Sequence, residues 1–535
     1  MMAATTNLRL SRRAFLMSAT AGIALCSVPL SSARAQTSGT LAMSVSPEPN
    51  TLIGAFNTAS PVTVVSGKMV EGLITYDFDL NFQPALATGW TMSEDGLTIR
   101  FDLRQGVTWH DGQPFTSADV AYSIMDILKV HHPRGRNTLS AVEAVETPDA
   151  HTAILRLSRP APALMYALAG WEAPMIPKHV YEGTDVLNNP ANNAPIGTGP
   201  FKFVSWERGS HVILEANPAY WAEGEPMLQR LVIRFIADPS ARSAAFEAGE
   251  LHLGGDGPIP VSEVERFRNN PNFQVELRGT EMNNSLDMLH CNMRGDALAR
   301  VEVRRALMHA IDRDLMSQIA YYGLDEVLSG PIPQTLPHLY TADVPSYAFD
   351  PARARALLDE AGFAPDANGI RFSLKLVGPS LGDTYDRLGQ FLKQQFLDVG
   401  IDLQLNFLDV ASFIRMVFAE YDFDLTLYPG SVTADPTIGL QRFWWSRSAN
   451  QGTPFVNVTG YASAEMDRIL ESAAVEPNPA ARRDLFLAFQ RLAMEDLPIL
   501  PLARPIYVTI AAANVRNFVT TPEGIRAPYG SLHFA

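Results

Sequence analysis

The stretch Gln441-Arg442-Phe443-Trp444-Trp445-Ser446 sets a guanidinium beside paired aromatic side chains. Arginine grips a carboxylate through two parallel N–H donors, and tryptophan offers a flat apolar wall that also stacks on rings or cations. Together they suit recognition of a carboxylate-bearing small molecule. The alternative arrangement leaves Phe443 and one tryptophan in the core and pairs Arg442 with Asp435 or another acid. Just upstream, Tyr428-Pro429-Gly430-Ser431-Val432-Thr433-Ala434-Asp435-Pro436 follows a strand expected from Phe423 to Leu427. Polar groups beyond the carboxyl end of a strand are where ligands gather in open α/β sheets. The candidate binding residues are therefore Tyr428, Ser431, Asp435, Arg442, Trp444 and Trp445, with Trp171 and Asn292 farther away in the chain. Core packing is the competing role for Trp171, and Asn292, at the end of a strand from Leu286 to Cys291, can bond ligand or simply crossing backbone.

Other chemistry finds little support. There is no GxSxG elbow, CxxC pair, HExxH helix or phosphate loop, so no catalytic residue is assigned. His131-His132 is the nearest thing to a metal pair, yet adjacent residues seldom ligate one ion and a surface loop is the better reading. No metal site and no cofactor are expected. His110-Asp111 lies inside a turn and reads as structural, and Arg134 and Arg136, in a loop with Pro133 and Gly135, read as solvated.

The elements that must position these groups follow from periodicity. Leu97, Ile99, Phe101 and Leu103 alternate with polar residues, the pattern of a half-buried strand. Thr116 with Asp119 caps a helix whose apolar stripe is Val120, Ile124, Ile127 and Leu128. Phe201 to Trp206 and Val212 to Leu214 form a hairpin, and Asp238-Pro239 opens a helix. Arg371 to Val377, Asp383 to Val399 and Ile401 to Phe407 read as strand, helix and strand, with Gly400 as the helix stop and the two strands parallel.

At the N-terminus, Ser11-Arg12-Arg13-Ala14-Phe15-Leu16, an apolar stretch to Leu30 and Ala33-Arg34-Ala35 read as a twin-arginine export signal over residues 1–35, cleaved near Ala35. Periplasmic localisation follows. Cys26 leaves with the signal, and Cys291 alone cannot form an internal disulfide. The formal charge of −15 becomes −19 once Arg9, Arg12, Arg13 and Arg34 are removed, which argues against nucleic-acid binding. Residues 36–535 are too many for one core, so two or three lobes are expected.

Three blocks of residues resemble the family 5 extracellular solute-binding proteins, receptors of bacterial ABC importers. The first runs from Glu71-Gly72-Leu73 through Tyr76-Asp77, Glu94-Asp95-Gly96-Leu97-Thr98 and His110-Asp111-Gly112 to Asp119-Val120. The second runs from Pro195 to Leu253 and includes PIGTGPFKF and LEANPAYW. The third begins with VEVRRALMHAIDRDLMSQIAYYG. The resemblance implies an α/β, three-lobed periplasmic binding protein fold of type II, cluster C-like, in which two α/β lobes meet at a hinge and a further lobe is inserted. It implies a first lobe from residues 36–78, 196–284 and 502–535, an inserted lobe from 79–195 and a third from 285–501. It also implies a binding-only, monomeric protein that delivers a small-molecule ligand to an ABC permease. Peptides are the general cargo, but Val432 falls where peptide receptors carry the Asp that meets the ligand's amino terminus, and Pro429 falls where they have Trp. A nickel or haem cargo would call for histidine near the pocket, and none lies between His338 and His533. An opine, amino-acid conjugate or similar metabolite suits Arg442 better. A hydrolase or a metal or haem carrier on the same fold is the alternative.

Overall fold

A computed structural model describes residues 39–535, so the export signal expected over 1–35 lies outside the described residues. Among those residues no helix is long and apolar enough to cross a membrane.

Three sheets organise the chain. The first has seven strands in the order Phe273–Glu276, Thr509–Ala512, Leu253–Gly254, Thr40–Val45, Arg230–Phe235, His211–Ala216 and Phe201–Glu207. Its centre is parallel, with Thr40–Val45 between Arg230–Phe235 and Leu253–Gly254. The expected hairpin forms its edge, Trp206 opposite Val212 and Phe203 opposite Leu214. Asp238 caps the helix Pro239–Glu247 by accepting the Ala241 N–H at 2.7 Å.

The second sheet is antiparallel, in the order Ala87–Met92, Thr98–Leu103, Thr152–Leu157 and Val142–Asp149. Alternation behaves as expected: Ile99, Phe101 and Leu103 are buried while Arg100 and Asp102 are exposed. Thr116 and Asp119 form a capping box on the helix Ser117–Tyr122, which widens into a π-helical turn over Ser123–Leu128. His110 bonds the Gly199 carbonyl at 3.0 Å through Nε2 and accepts the Gly197 N–H at 3.2 Å through Nδ1. Burial lowers its pKa to about 4, so a neutral imidazole stitches this turn to the chain re-entering the first sheet.

The third sheet has the order Asp325–Val327, Ile499–Pro505, Asn283–Cys291, Leu425–Thr433, Phe372–Pro379 and Ile401–Leu408. Phe372–Pro379 and Ile401–Leu408 are parallel and joined by the helix Asp383–Leu397, whose Leu388, Leu392 and Phe396 are buried. One expectation is corrected here. The segment from Tyr428 to Thr433, expected as a loop, continues the strand, because Asn283–Cys291 pairs with it from Cys291 opposite Leu425 to Asn283 opposite Thr433.

Candidate functional site

Tyr428 enters the interior from the strand Leu425–Thr433. Its ring stacks on His290 with centroids 4.4 Å apart, and Phe413, Phe418 and Phe455 meet it edge-on or tilted at 5.7 to 5.8 Å. It is fully buried, and its hydroxyl has no hydrogen-bond partner. Both ring nitrogens of His290 and the hydroxyl of Thr426, its cross-strand neighbour, are also buried without partners. Burial lowers the His290 pKa to about 3, so the ring is neutral.

After the strand, Asp435 makes the chain turn. One carboxylate oxygen accepts the Thr437 N–H at 2.9 Å, and the N–H groups of Leu440 and Gln441 return to the Pro436 carbonyl. That turn leads into the single 3-10 turn Gln441–Phe443 and sets Arg442 beside Tyr428. The Arg442 guanidinium carbon lies 5.0 Å from the Phe443 ring, and its Nε is buried without a partner. Among the described residues no carboxylate pairs with it. Burial depresses its pKa; the Tyr428 phenol works against this, and nearby Arg134 adds to it.

Arg134, whose charge acts on Arg442, is itself paired. Its Nε donates to Glu172 at 2.8 Å, a second nitrogen bonds the other Glu172 oxygen, and Nη1 reaches Thr58 at 3.1 Å. Glu172 is buried, so this bidentate pair is an internal strut and not the solvated loop charge expected from the sequence. The arrangement is one half-buried arginine, its Nε enclosed and no carboxylate paired with it among the described residues, flanked by an unpartnered phenol and near an arginine already paired with Glu172. Its unmet need is an anion.

Residues 81–452 match the family model for bacterial extracellular solute-binding proteins, family 5. The chain belongs to this family. Among its relatives, the glutathione-binding protein GsiB of Salmonella typhi is 26% identical over 478 residues, covering 86% of this chain and 88% of that protein. Among solved structures, AgaA of A. tumefaciens R10 in complex with agropinic acid has a TM-score of 0.75 at 25% identity and covers 93% of this chain and 99% of its own. NikA of Brucella suis with Fe(III)-EDTA reaches a TM-score of 0.82 at 24% identity, covering 93% of this chain and all of its own. The three-sheet body is thus the family 5 binding-protein fold, and the protein is of the class that serves ABC importers.

Within this family member, the residues singled out from sequence part company. Tyr428 and Arg442 are neighbours. Ser431 is on the same strand, its hydroxyl donating to Asn283 Oδ1 at 2.6 Å. Asp435 is fully buried and paired with Arg482, not with Arg442. Trp444 is core, edge-on to Phe489 at 5.4 Å, while the half-buried Trp445 donates to Glu471 at 2.9 Å. Trp171 is buried with Arg134 5.8 Å from its ring. Asn292 sits at the far end of the strand pair, donating to the carbonyls of Phe423 at 2.8 Å and Tyr421 at 3.3 Å, so it fastens backbone there. Glu172 and Arg482 carry no signal in the sequence, and Arg134 reads there as solvated, because each is explained by a partner distant in the chain.

Proposed function

We propose that this solute-binding protein captures a small carboxylate-bearing solute, peptide-like or opine-like, and delivers it to an ABC permease after twin-arginine export to the periplasm. It binds as a monomer and does not turn its ligand over. The observation that carries the reading is Arg442: a half-buried arginine with an enclosed, unpartnered Nε and no carboxylate paired with it among the described residues, beside the unpartnered Tyr428 hydroxyl. A buried charge left unpaired is costly, so a ligand anion that pairs with it contributes strongly to affinity. Val432 is buried in the strand and carries no charge for a ligand ammonium, and Asp435 is already neutralised by Arg482. Both facts favour an anionic group over a free amino terminus at this point. The name of the similar AgaA, with its agropinic acid, agrees with this class, and that of GsiB is compatible with it.

The lobes that close on the ligand are assigned as residues 36–78, 196–284 and 502–535, the insertion 79–195, and the segment 285–501. Sheet membership supports moving the last boundaries to 283 and 505, since Asn283–Cys291 and Ile499–Pro505 both belong to the six-stranded sheet. The test is native mass spectrometry of freshly purified protein, followed by thermal-shift screening of opines, short peptides and metal chelates. An anionic metabolite that binds wild type and loses affinity in Arg442→Ala supports the proposal. Equal affinity in that variant, or hydrolytic turnover of the bound compound, overturns it.

A further inference from the structure

A cavity of about 180 Å³ is lined by residues from the segments 67–85, 170–171, 220–225 and 520–531, and by none from 283 to 505. Arg442 is therefore not part of its wall, although Trp171, which lies against Arg134, is. Its walls include Glu71, Trp221, Glu225, Glu523 and Tyr529.

The charges around it are unevenly satisfied. Glu71 is complete, receiving Tyr220 and Thr198 hydroxyls at 2.8 Å and the Trp221 indole N–H. The cations are engaged elsewhere. Arg104 lies 4.0 Å over the Trp221 ring and donates to the Ala85 carbonyl at 3.1 Å. Lys68 donates to the carbonyls of Ile525 and Ala527 and sits 3.8 Å over the Tyr529 ring, and Arg526 pairs with Asp256 at 2.6 Å. Glu523 is different: it is only 6% exposed, Thr75 donates to Oε2 at 3.1 Å, and among the described residues no donor reaches Oε1. Glu225, half-buried on the same wall, has no hydrogen-bond or ion-pair partner among the described residues, and burial raises its pKa. The Tyr529 hydroxyl and the Trp171 indole N–H, on two further lining residues, are likewise buried and unpartnered.

Lys68 and Arg526 act on Glu523 through space but their donors are bonded elsewhere, so what the Glu523 oxygen lacks, in a cavity with aromatic walls, is a hydrogen-bond donor, and a cationic one would favour its ionised form. We infer that this cavity is a second binding site, for a small primary ammonium compound whose N–H donors reach Glu523 Oε1 and whose alkyl body lies against the aromatic wall. Its wall includes Trp171, beside Arg134, but no residue of the six-stranded sheet, so the Arg442 variant below tests whether the two sites are separate.

The probe is n-propylammonium chloride, titrated calorimetrically into the mature protein against sodium chloride at equal ionic strength. Saturable binding beyond the salt reference is expected, weakened about tenfold or more by Glu523→Gln, the loss of one charge-assisted hydrogen bond. Arg442→Ala is expected to leave propylammonium affinity within about twofold, which separates this site from the other. Should Glu523→Gln fail to fold, Glu225→Gln serves, with about threefold weakening expected and its melting temperature checked first. No saturable binding, affinity unchanged in the folded glutamine variant, or tetramethylammonium binding as tightly as propylammonium would each overturn the assignment.

Discussion

Arg482 closes on Asp435 through both carboxylate oxygens, at 2.5 and 2.9 Å, with the acid fully buried and the arginine 8% exposed. The pair joins the helix Pro479–Asp496 to the turn that delivers Arg442. Burial works to raise the Asp435 carboxyl, but the guanidinium and its hydrogen bonds prevail and hold the pKa below its ordinary value. Arg482→Ala leaves a buried carboxylate unpaired and is expected to cost about 3–5 kcal/mol, read from urea unfolding. A folded state that holds this carboxyl at a depressed pKa gains stability above the unfolded value and loses it as pH falls through the folded one. Acid unfolding should therefore begin at higher pH in Arg482→Ala. Coincident acid transitions in the two proteins would contradict this.

Arg442 has the opposite status, and its removal should separate stability from affinity. Arg442→Ala deletes a half-buried charge that no carboxylate pairs with among the described residues, so unfolding free energy is expected to stay within about 1 kcal/mol of wild type or to rise. Affinity for the anionic ligand is expected to fall about tenfold to a hundredfold. Calorimetry on the ligand found by native mass spectrometry decides the matter. Asn292→Ala should do the reverse, lowering the melting temperature and leaving affinity alone, because its amide serves the backbone of Tyr421 and Phe423.

Buried carboxyls with raised pKa values make a pH prediction with the other sign. Burial lifts Glu71 and Glu523 to about 7 and Asp287 to about 6, against partial opposition from their donors. Between the ordinary carboxylate range and these values the folded state holds more protons than the unfolded one, so stability falls as pH rises from about 5 to 7. Glu71→Gln should flatten that slope by up to about 1.4 kcal/mol per pH unit, measured by denaturant unfolding at stepped pH. An equally steep slope in the variant would show that Glu71 is ionised throughout.

Local pattern carried much of this molecule. Alternation placed Thr98–Leu103, the Thr116 and Asp119 capping box placed its helix, and Gly400, at φ +89°, ended the helix between two parallel strands. The strand Leu425–Thr433 was hidden by Pro429 and Gly430, which read as turn residues. Phe372–Pro379 pairs it only at Leu425 and Thr426, so one edge is unpaired by Pro429, and a residue without an N–H is tolerated there. The site itself was less legible. That Asp435 belongs to Arg482, and that Arg134 belongs to Glu172, depends on contacts between residues tens of positions apart, and no periodicity encodes them. Arg442 stood out as a residue type; its want of a carboxylate is a property of the packed molecule.

Ile438 supplies the last prediction. It is 6% exposed and packs with Ala163 and Ala167, which lie on the 3-10 helix Pro162–Ala167, while Tyr166 packs against the same cluster. The turn after Asp435 is thereby pressed against an element that follows the four-stranded sheet. Tyr166 is under the influence of Asp435 and Arg482 as well: burial first, then the Asp435 charge, raise its phenol to about 12, with Arg482 opposing. The same few residues thus order the Arg442 turn and form an apolar contact of modest size across the molecule. Apolar contacts of this kind contribute about 1.5–3 kcal/mol per fully buried side chain, enough to shift, but not to lock, the closure of the lobes proposed above. Ile438→Asp should therefore expand the protein in solution scattering without ligand, with a return toward the wild-type profile at saturating ligand and an affinity about tenfold weaker. A variant that scatters and binds like wild type would show that this contact does not hold the molecule closed.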